Sequence, residues 1–360
     1  MNHKPLNFLK YFLQWDPSIP VPKLQILSSA LGMALPIIVG ALIGHVETGF
    51  IVALGSLFMN PPNVDHSLKE EVLNYVQTIV AGFIAISLGV FIGNHHSLSA
   101  SIFLVFVNGL VSLVGGLNRT FAVNSMRFTI LSMIGAGISP PTQISPLLIG
   151  LFFSLGSIWA VFLFLCFSVY YRFFIKKKPF SKSLSNNPSN VDFFTQCKYW
   201  LIRLKTSRAW LYTIRVVLCL SVAQVIQLYL KNPHAYWISL TVVLVLQRKT
   251  SIGPSRIYQR ALGTFFGVLI GGAILIFPLS ILWIVVIVAF IGGIRIYLKT
   301  QNYVYYSMAM VPLLFILLGK GKHISFDLMI DRLVYTFAGC IIALVFGYFL
   351  WTTPEKQKYI

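Results

Sequence analysis

Apolar runs dominate this chain, and short polar breaks cut them into segments. The first run, 26–44, carries no Asp, Glu, Lys or Arg and is long enough for one membrane span. A shorter run, 49–59, stops at Asn60-Pro61-Pro62 and reads as a short, tilted or partly buried helix. No Asp, Glu, Lys or Arg occurs between Glu71 and Arg119, which leaves room for two spans turning at Gly93-Asn94-His95-His96-Ser97. None occurs between Arg127 and Arg172 either, and Ser139-Pro140-Pro141 marks the turn there. The second half repeats the plan, with segments expected at 209–230, 236–247, 261–277, 279–294, 302–319 and 332–351. Its breaks fall at Lys231-Asn232-Pro233, the Arg248–Arg260 loop, Pro278, Arg295–Lys299 and Gly319–His323.

Small and aromatic positions recur between the halves. Phe50-Ile51-Val52-Ala53-Leu54 aligns with Trp237-Ile238-Ser239-Leu240-Thr241, and Ala85, Gly89 and Gly93 align with Gly263, Gly267 and Gly271. Gly115-Gly116 aligns with Gly292-Gly293, and Trp15 with Trp200. An ordered series of this kind is the mark of an internal repeat. The expected fold is an all-α polytopic membrane protein of about twelve membrane segments, arranged as two parallel six-helix repeats with a short cytoplasmic linker. The expected organisation is an N-terminal segment over 1–24, repeats over 25–171 and 209–352, a basic linker over 172–208 and a tail over 353–360.

Composition agrees with a lipid environment: 57% of residues are hydrophobic and only 10% charged, against about a quarter charged in soluble domains. The net charge of +19 would suit a nucleic-acid binder, but the cations lie between apolar runs and in one central stretch. That arrangement points to retention on the cytoplasmic side instead. With both termini and the linker inside, only Lys231, Lys320, Lys322 and Arg332 of the 28 Lys and Arg fall outside. The linker opens with Lys176-Lys177-Lys178 and the polar stretch 181–190. Phe193, Cys197, Trp200, Leu201 and Leu204 then fall at helical spacing, with Lys198, Arg203 and Lys205 elsewhere, as an interfacial amphipathic helix requires. Asp16, Pro17, Pro20 and Pro22 interrupt the N-terminus, so no cleaved signal peptide is expected.

Candidate chemistry is sparse. Cys166, Cys197, Cys219 and Cys340 form no CxxC pair and read as small buried hydrophobes. His95, His96 and His323 lack convergent ligands for a metal, and no Walker motif, nucleophile or triad spacing occurs, so neither cofactor nor enzymatic activity is expected. Gly263, Gly267 and Gly271, like Ala85, Gly89 and Gly93, place small residues on one helix face, where helices approach closely. Pro312 lies inside a span. Carboxylates are missing from the middle of nearly every span, with Glu47, Asp327 and Asp331 near outer ends. That pattern disfavours a cation relay and favours an anionic substrate drawn by Arg215, Arg256, Arg260, Arg295 or Arg332.

The stretch from His234 to Gln247, beginning His-Ala-Tyr-Trp-Ile-Ser-Leu-Thr, resembles the fusaric acid resistance-like family, also called the aromatic acid exporters. The similarity continues through Arg256-Ile257-Tyr258-Gln259-Arg260-Ala261-Leu262-Gly263-Thr264 and through Asp331-Arg332-Leu333 with Thr336 and Gly339. It covers 209–351. The first half is similar in layout only, with Asp65, Lys69, Glu70 and Glu71 where the second half has its arginines. Plant aluminium-activated malate transporters look like distant relatives. The resemblance implies export of amphipathic, often aromatic, organic anions, proton-motive energy and a periplasmic adaptor protein.

The reading that emerges is an inner-membrane exporter of small organic anions, with the lipid bilayer as its surroundings and no nucleic-acid partner. Arg256, Arg260, Tyr236, Trp237, Gln247 and Arg332 are the expected substrate path. A non-transporting scaffold or a passive anion channel is the alternative. The exporter requires a continuous polar path reaching the second-half arginines, whereas the scaffold has those arginines facing solvent or headgroups and a glycine-packed, dry interior.

Overall fold

A computed structural model describes residues 23–61, 68–95, 97–138, 144–170, 193–275, 277–319 and 325–351. The proline turn at 139–141, the lysines at 176–178, the polar stretch 181–190, His96, His323, Asp65 and both termini with Trp15 lie outside the described residues.

The described residues form helices and no strands. In the first half these are α1 (Lys23–Leu42), α2 (Val46–Leu57), α3 (Leu68–His95), α4 (Leu98–Val114), α5 (Arg119–Gly137) and α6 (Pro146–Tyr170). The linker helix is α7 (Phe193–Leu204). The second half has α8 (Ser207–Leu230), α9 (Tyr236–Val245), α10 (Gly253–Leu275), α11 (Ile281–Gln301), α12 (Tyr303–Leu318) and α13 (Phe326–Ile342). A π-helical turn, Ala343–Tyr348, follows α13. Among the described residues, 7 helical stretches are long and apolar enough to cross a membrane: α1, α11, most of α3, α6, α8 and α10, and Phe326–Trp351. Helices α2, α4, α9 and α12 are apolar but shorter. The chain is therefore a polytopic helical membrane protein.

Two expected boundaries are corrected. Helix α10 starts at Gly253, so Arg256 and Arg260 are helical and the Arg248–Arg260 loop is shorter than expected. Proline is at home in the first turn of a helix, and Pro254 sits there. Helix α11 runs on to Gln301, so Arg295 and Lys299 lie inside it. It ends where Asn302 turns extended and its side chain caps the next helix, accepting from the Val304 N–H at 2.8 Å. A capping side chain at Asn302 and a first-turn proline at Pro254, and not the appearance of a charge, mark these boundaries.

The chain forms two compact units, each drawn from both halves of the sequence. Unit one comprises residues 1–84, 142–188 and 262–329, and unit two comprises 85–141, 189–261 and 330–360. In unit one, α1 packs on α2 and α11, and α2 packs on α6. Gly55 and Gly156 make the α2–α6 crossing close, since a Cβ on either would strike the facing backbone at Phe153 or Val52. The neighbouring serines complete it reciprocally: Ser56 donates to the Gly156 carbonyl at 2.8 Å and Ser157 to the Gly55 carbonyl at 3.2 Å. Gly263 and Gly267 meet the α12 backbone at the Val304 and Met308 carbonyls, and Gly271 lies against Pro312.

Arg295 is buried in unit one and donates to Ser29 Oγ at 3.2 Å and to the Met59 carbonyl at 3.4 Å. One turn on, Lys299 donates to Asn60 Oδ1 at 3.1 Å. These cations meet the carbonyl-rich end of α2, where positive charge is favoured. In unit two, α8 packs on α4 and α9, and α5 on α4 and α9. Gly89, Gly93 and buried Ala85 line the end of α3 that meets α5 around Ser132 and Ala136.

Candidate functional site

The site lies in unit two and is built by α9, the first turns of α10 and α13. Its outer rim forms where α8 ends. Lys231 adopts a left-handed conformation (φ 51°) that stops the helix, and the Asn232 side chain accepts from the His234 N–H at 2.8 Å. Asp331 on α13 then accepts from Asn232 Nδ2 at 3.2 Å and pairs with His234 Nδ1 at 2.9 Å. This network holds the turn before α9 against α13.

One residue further along α13, Arg332 turns inward. Its guanidinium lies 4.2 Å from the centroid of the Trp237 ring, and the residue is only 1% exposed. Trp237 itself is buried, with Tyr236 packed edge-on at 5.7 Å. The tryptophan thus serves the interior and not a lipid-facing belt. Nη1 and Nη2 of Arg332 find no hydrogen-bond acceptor among the described residues, and neither do the buried hydroxyls of Thr336 and Thr241. Thr336 is one turn from Arg332 on α13, and Thr241 one turn from Trp237 on α9. The two helices meet closely at Gly339, where a Cβ would lie 2.7 Å from the Ile238 carbonyl and 2.8 Å from Thr241 Cβ.

The second cation is Arg260, 2% exposed and close enough to repel the Arg332 charge. Its helix is tied to α13 where the Cys340 thiol contacts the Ile257 carbonyl at 4.0 Å. Arg256, one turn earlier, is half-buried. The structure therefore gathers Tyr236, Trp237, Arg260 and Arg332, and leaves Gln247 at the other end of α9.

Gln247 belongs to a separate cluster. Its N–H donates to Tyr348 Oη at 2.7 Å, and its carbonyl accepts from Arg215 Nη2 at 3.2 Å. Tyr348 also donates to the Val245 carbonyl at 2.9 Å and lies beneath the Arg215 guanidinium at 4.7 Å. Arg248 donates to the Ser112 carbonyl at 2.7 Å and covers Tyr212 at 4.3 Å. Burial lowers the Arg248 pKa from its ordinary value, opposed in part by Tyr212. These arginines are engaged by carbonyls and aromatic rings, so the cluster fastens helix ends. Asp331 enters the sequence reading as an outer-end carboxylate and, with Thr241 and Thr336, through the repeat and the family resemblance. The Asn232–His234–Asp331 network and the burial of the two threonine hydroxyls do not follow from it. A polar residue one helical turn from each predicted site residue was the available signal for the threonines. Among the described residues no group of three metal-ligating side chains occurs.

Fold and site together define a polytopic helical membrane protein with a buried cationic centre. Residues 218–346, which hold that centre, match the family described as fusaric acid resistance protein-like. Among curated proteins, the chain is similar to "Uncharacterized protein YhfK" of Escherichia coli, 31% identical over 148 residues, covering 40% of this chain and 20% of the relative. It is also similar to "Inner membrane protein YccS" of Escherichia coli, 31% identical over 127 residues, covering 34% of this chain and 17% of the relative. "Uncharacterized protein ORF2" of Neisseria gonorrhoeae is 34% identical over 97 residues, covering 26% of this chain and 22% of the relative. The matches thus span about a fifth of the length of these relatives. No solved structure matches the chain significantly.

Proposed function

We propose that this protein is a secondary transporter that exports small organic anions, aromatic carboxylates among them, across an inner membrane. The observation that carries the reading is Arg332: buried, stacked on Trp237, and with both terminal nitrogens lacking an acceptor among the described residues. A guanidinium held out of water without an acceptor is costly, and a second buried cation nearby adds repulsion. A bound carboxylate relieves both. It takes the guanidinium fork in two parallel hydrogen bonds, while Thr336 and Thr241 supply further donors. The apolar part of the ligand would lie along Tyr236 and Trp237. The burial of Arg260 and Arg332 favours this reading over a scaffold whose arginines face solvent or headgroups.

The same reading takes the chain as two six-helix repeats with both termini inside. Support comes from the parallel make-up of the units. One takes α1, α2 and α6 of the first half with α11 and α12 of the second. The other takes α8, α9 and most of α13 with α4 and α5. In each, a buried arginine meets the carbonyls just past the short helix: Arg295 at Met59 in one, Arg215 at Gln247 in the other. A periplasmic adaptor protein and proton-motive energy enter from the family resemblance alone. The reading includes no enzymatic step.

The test is transport of radiolabelled benzoate in proteoliposomes. Wild-type protein should show saturable flux, and Arg332→Gln should reduce it to background at equal incorporation. Unchanged flux in Arg332→Gln overturns the assignment of this site.

A further inference from the structure

A groove separate from the arginine centre runs along the surface of unit two between α4 and α8. Its volume is about 470 Å³, and its lining is almost wholly apolar, with Ile102, Phe106, Leu110, Val217 and Val225 along its length and Trp210 at one end. Gly109 makes room at its floor, because a Cβ there would lie 2.8 Å from Val217 Cγ2. Polar floor groups are already engaged from within: Ser112 Oγ donates to Thr213 Oγ1 at 3.2 Å, and Gln224 Nε2 donates to Ser239 Oγ at 2.9 Å. Apart from the small hydroxyls of Ser101 and Ser221 the lining is hydrocarbon, so the groove asks chiefly for hydrocarbon. Its rim is open, since Ile102 and Val225 are each 61% exposed.

The shape selects the occupant. Helices α4 and α8 already touch at Gly109 and Val217, so the groove is a shallow cleft along α8 from Trp210 to Leu228. A thin, flexible acyl chain can lie in such a cleft, whereas a helix is about 10 Å across.

Charge at one end selects the headgroup. Helix α7 lies across the Trp210 end of the groove. Trp210 Nε1 donates to the Leu204 carbonyl at 2.8 Å, which ties α7 to α8. At the other side, Asn118 Nδ2 donates to Gln196 Oε1 at 3.0 Å and Gly116 lies beside Trp200, which ties α7 to the end of α4. Lys198, Arg203 and Lys205 are exposed here, beside exposed Phe194, Leu201 and Ile202. An exposed mixed face of this kind suits the headgroup layer. We infer that the α4–α8 groove binds one acyl chain of an anionic phospholipid, whose phosphate is held by Arg203 and Lys205 at the α7–α8 junction.

The experiment is native mass spectrometry of the full chain in detergent with equal amounts of dioleoyl phosphatidylglycerol and dioleoyl phosphatidylcholine. Wild-type protein should retain about one phosphatidylglycerol per chain, in clear preference to phosphatidylcholine. Val225→Trp fills the groove from an exposed position and should cut retention of that lipid by about tenfold. The double variant R203Q/K205Q alters only exposed side chains and should bind the two lipids about equally. Equal retention of both lipids by wild-type protein overturns the inference, as does undiminished retention by Val225→Trp. A dimer that retains no lipid and dissociates on Val225→Trp would make a second copy of the chain the occupant, which also overturns it.

Discussion

Arg332 sets a stability cost against the proposed function. Its guanidinium is buried on the Trp237 ring, and two of its nitrogens have no acceptor among the described residues. Methionine has similar reach and carries no charge. Replacing buried charge by a well-packed apolar side chain is often neutral or stabilising by about 1–4 kcal/mol. Arg332→Met should therefore raise the thermal unfolding midpoint of anion-free protein in detergent while abolishing benzoate flux. A lowered midpoint would mean that Arg332 acts as an ordinary packing partner and is not poised for a ligand.

Arg260 allows a graded test at the same scale. It is buried near Arg332, so under the proposed function both cations act on one bound anion. Lysine keeps the charge but loses the planar fork, and glutamine loses the charge. Arg260→Lys should retain partial flux and Arg260→Gln little, with membrane insertion normal in both. Wild-type flux from Arg260→Gln at equal expression would remove Arg260 from the site. The chain's abundance of cations made any single arginine look topological in sequence. Burial sets Arg215, Arg260, Arg295 and Arg332 apart from the other cations, and no local pattern of residues reveals it.

Among the elements, close crossings depend on small residues, and not all glycines count equally. Gly267 is buried, and a Cβ there would lie 2.7 Å from the Met308 carbonyl and 2.9 Å from Val311 Cβ on α12. Gly116 is exposed at a helix end, with its nearest neighbours at 3.1 and 3.4 Å. Gly267→Leu should cost about 2 kcal/mol or more through overpacking and sharply lower the yield of folded protein, whereas Gly116→Leu should be tolerated. Size-exclusion profiles of the two variants at equal expression decide this, and equal monodisperse yields would refute the packing role. The Gly263–Gly267–Gly271 stripe was visible at helical spacing. The α2–α6 clasp was not, because its halves, Gly55-Ser56 and Gly156-Ser157, are single dipeptides a hundred residues apart. Segment existence was legible from charge-free runs. Segment ends were less so: Arg256, Arg260, Arg295 and Lys299 lie within helices whose length the capping residues decide.

For the whole molecule, the location of the arginines bears on how charge sets orientation. Arg215, Arg260, Arg295 and Arg332 are buried and fastened or poised inside the protein, so they cannot anchor its loops to one side of a bilayer. With these four set aside, Lys231, Lys320 and Lys322 are the only Lys or Arg that the parallel two-repeat plan places outside. The charge asymmetry thus survives removal of the buried arginines, as orientation by retained loop cations requires. Under that plan α3 crosses outward and ends outside at His95, while α11 crosses inward and ends inside beyond Lys299. Both ends are exposed. With Cys166, Cys197, Cys219 and Cys340 replaced by serine or alanine, His95→Cys should react with a membrane-impermeant maleimide in intact cells. Thr300→Cys should react only after permeabilisation. Labelling of both from the same side would require an odd number of crossings between residues 95 and 300 to be lost or gained. The parallel six-plus-six plan would then fall.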